Sequence, residues 1–287
     1  MKDQAESLRQ LISGQRSSGT VVIAVSSAIT GCGVTTFAVN LAASLMLHDK
    51  RVVLLDISDT TFELLGGSIP NNENIVINFL NGDLKLQDIL TQTPVGLKVL
   101  RHTEVIKATA ASDKKLNDQL QKELTKLGEA DYIIAHLHKG ITKESLPYIA
   151  GADQLFLISD PDIESVRDTY GMVKSILQRV KNDLIPDTYF VMNKSLSDQL
   201  SISLAERLRK GVQKFLDFHI TFAGTIPIDE AVILSKKTGN PVVVQSPHSS
   251  AALKIEEISS QIVRYTLKKS DNEKAYSGIR KFIDQIL

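Results

Sequence analysis
Residues 21–25, Val-Val-Ile-Ala-Val, form an unbroken apolar run that ends in a short glycine-bearing loop and then an Ala- and Leu-rich stretch over 37–45. A short apolar run bounded by turn residues reads as a strand buried on both faces. Such strands occur where helices cover both sides of a parallel sheet. Further candidate strands follow over 51–56, 97–100, 132–135, 154–159, 188–192 and 221–226, with helical patterns between them, notably over 113–127, 163–180 and 201–215. This alternation predicts an α/β fold, a mostly parallel sheet with helices on both faces. Ligands of such folds sit beyond the carboxyl ends of the strands, so the loops there are where chemistry is sought.

The loop after the first strand, Ser26 to Thr36, has the framework of a phosphate-binding turn without its charge. The working pattern is G-x-x-x-x-G-K-[ST] between a strand and a helix. Ala28 stands for the first glycine, Gly33 for the second, Val34 for the lysine and Thr35 for the hydroxyl residue. Backbone N–H groups of residues 31–35 and the dipole of the following helix still suit a weakly held phosphate. Two readings stay open at this point: Gly31 and Gly33 serve only a tight turn, or they retain weak nucleotide binding.

Composition narrows the classes. The 287 residues are 43% hydrophobic, enough for one large α/β domain with appendages. Lys+Arg and Asp+Glu balance at 33 each, so no global field draws the chain to nucleic acid. The single cysteine, Cys32, forms no internal disulfide and suggests a reduced, cytoplasmic setting. The first residues lack the apolar core of a secretory signal, and no apolar run is long enough to span a bilayer. The expected organisation is an N-terminal partner-binding segment and linker over 1–19, a nucleotide-binding-type domain over 20–267, and a linker with a C-terminal amphipathic helix over 268–287.

Several separated motifs carry a resemblance. Asp3-Gln4-Ala5-Glu6-Ser7-Leu8-Arg9 matches a DQAxxLR segment; Thr35-Thr36 is followed by Asn40-Leu41-Ala42. Asp160-Pro161-Asp162-Ile163-Glu164-Ser165 precedes Asp168 and Tyr170; Gly224-Thr225-Ile226-Pro227-Ile228-Asp229 forms a late turn; Asn240-Pro241-Val242-Val243 and Ser246-Pro247 precede a last helix. In this order the chain resembles the MinD/ParA-like deviant-Walker P-loop ATPases, and is most similar to their flagellar number and placement regulators (FlhG, also called YlxH or FleN). The resemblance implies ATP and Mg²⁺ as ligands and a nucleotide-dependent homodimer. It places nucleotide contacts at Gly31, Gly33, Thr35, Thr36, Asp56 and Asn193, the last meeting the base.

The charged positions of that pattern are missing. Its signature lysine falls on Ile29 and its Walker lysine on Val34; its water-side carboxylate falls on Ser58, and its Walker B aspartate on His136. Phosphoryl transfer relies on such charges. One unit charge at 4 Å is worth up to ~4 kcal/mol at an effective dielectric of about 20. Losing two lysines therefore takes a micromolar site to millimolar or weaker, at ~1.4 kcal/mol per tenfold. Hydrolysis is expected to be absent or very slow and no catalytic residue is assigned; rescue would fall to Lys139, the one evident cation at a strand end.

The remaining candidates each have a plain alternative. His136 and His138 lie two apart and suit a metal, or are solvated residues of a substituted strand end. Cys32 beside a helix start is a reactive thiol or a small filler. Asp3, Gln4, Ala5, Leu8 and Arg9 match the segment through which the family contacts its SRP-type GTPase, FlhF, or form a polar tail. Ile279, Phe282, Ile283 and Ile286 share one face of a C-terminal helix, which lies on a membrane or docks on the protein's own core. The expected function is a cytoplasmic pseudo-ATPase scaffold, peripheral to the membrane at most, that regulates flagellar number or assembly through an FlhF-like GTPase or switch proteins. The competing expectations are an active MinD-like ATPase with an unorthodox site and a ParA-like partitioning protein; specific DNA binding is not expected.

Overall fold
A computed structural model describes residues 19–58, 60–65, 78, 83, 85–101, 121, 124–270 and 278–286. The N-terminal candidates Asp3, Gln4, Ala5, Leu8 and Arg9, and most of the helix expected over 113–127, lie outside the described residues.

The chain runs β1 (Val21–Ser26), α1 (Val34–Leu47), β2 (Val52–Asp56), α2 (Thr61–Leu64), α3 (Leu86–Ile89), β3 (Thr91–Gln92), β4 (Lys98–Arg101) and β5 (Tyr132–His136). It continues through α4 (Leu146–Gly151), β6 (Gln154–Ser159), α5 (Ile163–Arg179), β7 (Asp187–Ser195), α6 (Asp198–Leu216) and β8 (Thr221–Pro227). The last elements are α7 (Glu230–Thr238), α8 (Val242–Gln245), α9 (Ser250–Ser270) and α10 (Gly278–Ile286). Together the strands form one 8-stranded sheet in the order β3-β4-β2-β5-β1-β6-β7-β8. Every pairing is parallel except β3 with β4. The expected α/β architecture is the observed one.

β1 lies at the centre, between β5 and β6. Its side chains alternate between two cores, as the period of a strand requires. Val21, Ile23 and Val25 join Phe37, Leu41 and Leu45 of α1 and Ile255, Ile258 and Ile262 of α9. Val22 and Ala24 join Tyr148 and Ile149 of α4, Met172 and Ile176 of α5, and Leu204 and Leu208 of α6. Burial on both faces is why the β1 sequence shows no polar alternation. Asn40 of α1 accepts the Val243 N–H at 3.2 Å and donates to the Thr36 carbonyl at 2.8 Å. Asp229 accepts the Ala231 N–H at the start of α7 and the Ala251 N–H near the start of α9, both at 2.9 Å. These two family-motif residues thus hold helices together.

β7 runs past its expected end at 192 to Ser195, and its register with β8 is irregular between Met192 and Ser195. Lys194 there has φ 56, a left-handed conformation uncommon for a side-chain-bearing residue. The two-residue β3 pairs across a turn closed by the Thr93 N–H to Leu97 carbonyl bond of 2.9 Å, too short to leave a period in the sequence.

The C-terminal helix corrects one expectation. Ile279, Phe282, Ile283 and Ile286 face the protein, not lipid: Phe282 is 1% and Ile283 2% exposed. The Phe282 ring meets Tyr148 with centroids 5.9 Å apart, and a Cβ on Gly151 would come within 2.9 Å of the Phe282 backbone. The absent side chain at Gly151 lets α10 approach α4 closely. Among the described residues, no helix is long and apolar enough to cross a membrane.

Candidate functional site
The loop between β1 and α1 is shaped by two glycines and held by β7. Gly31 and Gly33 have φ 84 and 86, a region that L side chains rarely adopt. Gly33 caps α1, its carbonyl accepting the Phe37 N–H at 2.9 Å. Asn193 Nδ2 donates to the Cys32 carbonyl at 2.7 Å and lies over Gly33, where a Cβ would meet it at 2.4 Å. Lys194 Nζ donates to the Gly31 carbonyl and pairs with Asp160 Oδ2 at 3.2 Å. The amide of Asn193, the residue that the resemblance sets against a base, clamps the loop. Lys194 was missed as a loop cation, and its only sequence signal was its place next to Asn193.

Beside this loop, parallel pairing sets Asp56 at the end of β2 directly against His136 at the end of β5. His136 Nδ1 lies 3.3 Å from Asp56 Oδ1, 2.8 Å from Ser58 Oγ and 3.1 Å from Thr61 Oγ1. With oxygen atoms around Nδ1, its N–H belongs on that side. Nε2 then meets Thr35 Oγ1 at 3.3 Å. Thr35 is also 3.1 Å from Thr60 Oγ1, which is 2.8 Å from Ser58 Oγ. Asp56 additionally accepts the Ser58 hydroxyl at 3.1 Å and the Thr61 N–H at 3.0 Å. Burial pushes the Asp56 carboxyl up, but the hydrogen bond and charge of His136 and the Thr61 bonds override it and hold it below the ordinary carboxylate range.

This network corrects the reading of His136 and His138 as a solvated pair. His136 is 2% exposed and closed in by hydroxyls, whereas His138 is exposed. No group of three or more metal-ligating side chains occurs among the described residues. Cys32 is fully buried beside Ser165, and burial pushes its thiol up, so the filler reading holds and the reactive one does not.

A cavity of about 630 Å³ opens above the loop. Gly31, Gly33, Thr35 and Thr36 line it; Asp56 and Asn193 are not among its lining residues. Lys139 lines it too, but so does Lys236 of α7, so Lys139 is not the sole cation there. No described carboxylate lines it. In a P-loop site Mg²⁺ is held by the loop hydroxyl and a strand-end carboxylate. Here the strand-end position is His136, whose imidazole joins Thr35 to Asp56, and that remaining carboxylate is fully buried. The residues present do not fit the ion.

The family model of the CobQ/CobB/MinD/ParA nucleotide binding domain matches residues 23–242. An uncharacterized ATP-binding protein of Methanocaldococcus jannaschii is 28% identical over 267 residues, 92% of this chain and 95% of that protein. The antiactivator FleN of Pseudomonas aeruginosa is 24% identical over 249 residues, 86% of this chain and 87% of FleN. The flagellum site-determining protein YlxH of Helicobacter pylori is 24% identical, with 84% of each chain covered. Among solved structures, the Pyrococcus horikoshii MinD complexed with Mg-ADP superposes with TM-score 0.63 at 19% identity, covering 87% of this chain and 98% of that one.

Proposed function
Because the chain belongs to the CobQ/CobB/MinD/ParA nucleotide-binding family, we propose that it is a non-hydrolysing member that regulates flagellar number, placement or assembly by binding a protein partner. The observation that carries the loss of hydrolysis is His136, which ties Thr35 to Asp56 where the family resemblance calls for a metal-organising aspartate. Val34 in place of the loop lysine removes the second working charge. The FleN and YlxH relatives support the flagellar assignment.

A partner-binding role also draws support from the ligand edge of the sheet. Ile163 at the start of α5 is 72% exposed and Leu200 in the first turn of α6 is 53% exposed, and both line a shallow groove with Pro161 and Leu204. Exposed apolar groups gathered in a groove favour protein contact over bare solvation. The N-terminal residues Asp3, Gln4, Ala5, Leu8 and Arg9 supply the proposed contact with an FlhF-like SRP-type GTPase.

Phosphate release from MgATP tests the first half, with no turnover above the buffer rate expected. Turnover that disappears in Lys139→Ala would establish instead an active ATPase with an unorthodox site. GTP hydrolysis by the SRP-type GTPase tests the second half: the full chain should stimulate it, and Leu8→Asp should not. Equal stimulation by both chains would remove the N-terminal segment from the contact.

A further inference from the structure
The imidazole of His136 stands between the two groups that would otherwise share a divalent cation. Its Nε2 is 3.3 Å from the Thr35 hydroxyl and its Nδ1 3.3 Å from Asp56. The ring lines the cavity but is only 2% exposed and held on both nitrogens, and Asp56, 0% exposed, does not line it. Asp56 is further committed to the Ser58 hydroxyl and the Thr61 N–H. Ser58 itself, at 2.8 Å from Nδ1, completes the enclosure.

The cavity above is nevertheless an anion site in its charge pattern. Lys139 and Lys236 line it, with the hydroxyls of Thr30, Thr35 and Thr36, and no described carboxylate does. Lys139 is one of the exposed residues of the loop after β5, whose Gly140 N–H donates to the Ser27 carbonyl at 2.7 Å. That bond places the loop carrying Lys139 directly beside the one carrying Gly31 and Gly33. Of the loop's neighbouring cations, Lys194 is engaged by Asp160 and the Gly31 carbonyl. A phosphate entering here meets ammonium groups and hydroxyls, and finds no ligand set for an accompanying Mg²⁺.

We propose that this pocket binds a nucleoside di- or triphosphate without a divalent metal, His136 filling the place of the ion and Lys139 and Lys236 neutralising the phosphates. The proposal deepens the reading of the chain as a non-hydrolysing nucleotide-family protein and rests on it. It sets an unusual sign for magnesium. An Mg²⁺ carried on the phosphates lowers the charge that the lysines recognise, and no protein group repays it.

Calorimetric titration of the full chain with ATP, ADP and inorganic pyrophosphate, each in EDTA and in excess Mg²⁺, tests this. Nucleotide binding in EDTA should be at least as tight as in Mg²⁺. Pyrophosphate binding as well as ADP would support the proposal and locate recognition in the diphosphate. Tightening by Mg²⁺ of more than about threefold, or no binding of any ligand in either buffer at about 10 mM, overturns it. His136→Asp, checked for folding by circular dichroism, should gain a dependence on Mg²⁺ of about tenfold or more. A folded variant that stays indifferent to Mg²⁺ also overturns the proposal. Phosphate release on the same samples separates the two readings. Mg²⁺-tightened binding without turnover sinks only the metal-free site, whereas turnover sinks the non-hydrolysing role.

Discussion

The loop after β1 and the strand ends beside it meet at one cavity but are built on different principles. The loop keeps its form through main chain: Gly31 and Gly33 in left-handed conformations, and carbonyls bound by Asn193 and Lys194. The ends of β2 and β5 keep theirs through side chains, with His136 bonded within a cage of Asp56, Ser58, Thr61 and Thr35. A P-loop's shape and its chemistry are therefore separable. Backbone conformation and one asparagine hold the first in a loop with Val34 at the lysine position of the pattern. On the proposed reading, the imidazole that joins Thr35 to Asp56 takes the place of a divalent ion.

If that contrast is right, the largest loss should come from the side-chain half. His136→Ala would leave Asp56 as a fully buried carboxylate without its imidazole partner, a change that costs about 3–5 kcal/mol. Chemical denaturation should show the midpoint falling with little change in slope. A loss below about 1 kcal/mol would mean that the cage carries no more than an exposed ion pair does, and the comparison would fail.

Asp56→Asn should cost about 3 kcal/mol near neutral pH, and its cost should depend on pH. The folded-state carboxyl lies below its ordinary range, so it binds protons less readily in the native chain than in the unfolded one. Its contribution is fully present above the unfolded value of about 3.9 and drains away as pH falls through the folded value. Melting curves of the wild type and Asp56→Asn should thus stay apart from pH 7 to about 5 and converge below about 4. Asp131 and Asp229 are held low as well, in part by Arg51 and by backbone N–H groups respectively, so the wild type alone would not isolate Asp56. A gap that widens in acid would reverse the sign of the argument.

The sequence made the loop legible and left the cage hidden, for a physical reason. Strand-loop-helix order, Gly31, Gly33 and the apolar periods of β1, β6 and α5 are local features, and their boundaries fall within a residue of those expected. His136 at the end of an apolar strand was equally visible. Its burial was not, because it depends on β2 and β5 lying side by side in register, with Asp56 opposite His136. Lys194 and Lys236 lie 163 and 205 residues beyond Gly31 in number, and nothing local marks the first as holding the loop or the second as lining the cavity. The lipid-facing reading of Ile279, Phe282, Ile283 and Ile286 erred in the same way. An amphipathic stripe states that one face will be buried but not against what, and here Tyr148 and Gly151 of α4 supply the answer.

The main-chain half of the comparison can be sharpened within a single loop. Gly31 and Gly33 share a positive φ, so an alanine at either costs the left-handed conformation, about 1–2 kcal/mol. Around Gly31 a Cβ meets nothing within 4 Å, and Gly31→Ala should cost no more than that. At Gly33 the Cβ would lie 2.4 Å from Asn193 Nδ2, the atom that holds the Cys32 carbonyl. The side chain would have to withdraw and leave that buried carbonyl unpaired, so Gly33→Ala should cost about 2–3 kcal/mol. Asn193→Ala removes the obstruction together with the bond. Adding Gly33→Ala to it should therefore cost only the conformational part, about 1–2 kcal/mol. A full additive loss in that double variant would show that the loop takes its shape from φ alone, and Asn193 would cease to be its clamp.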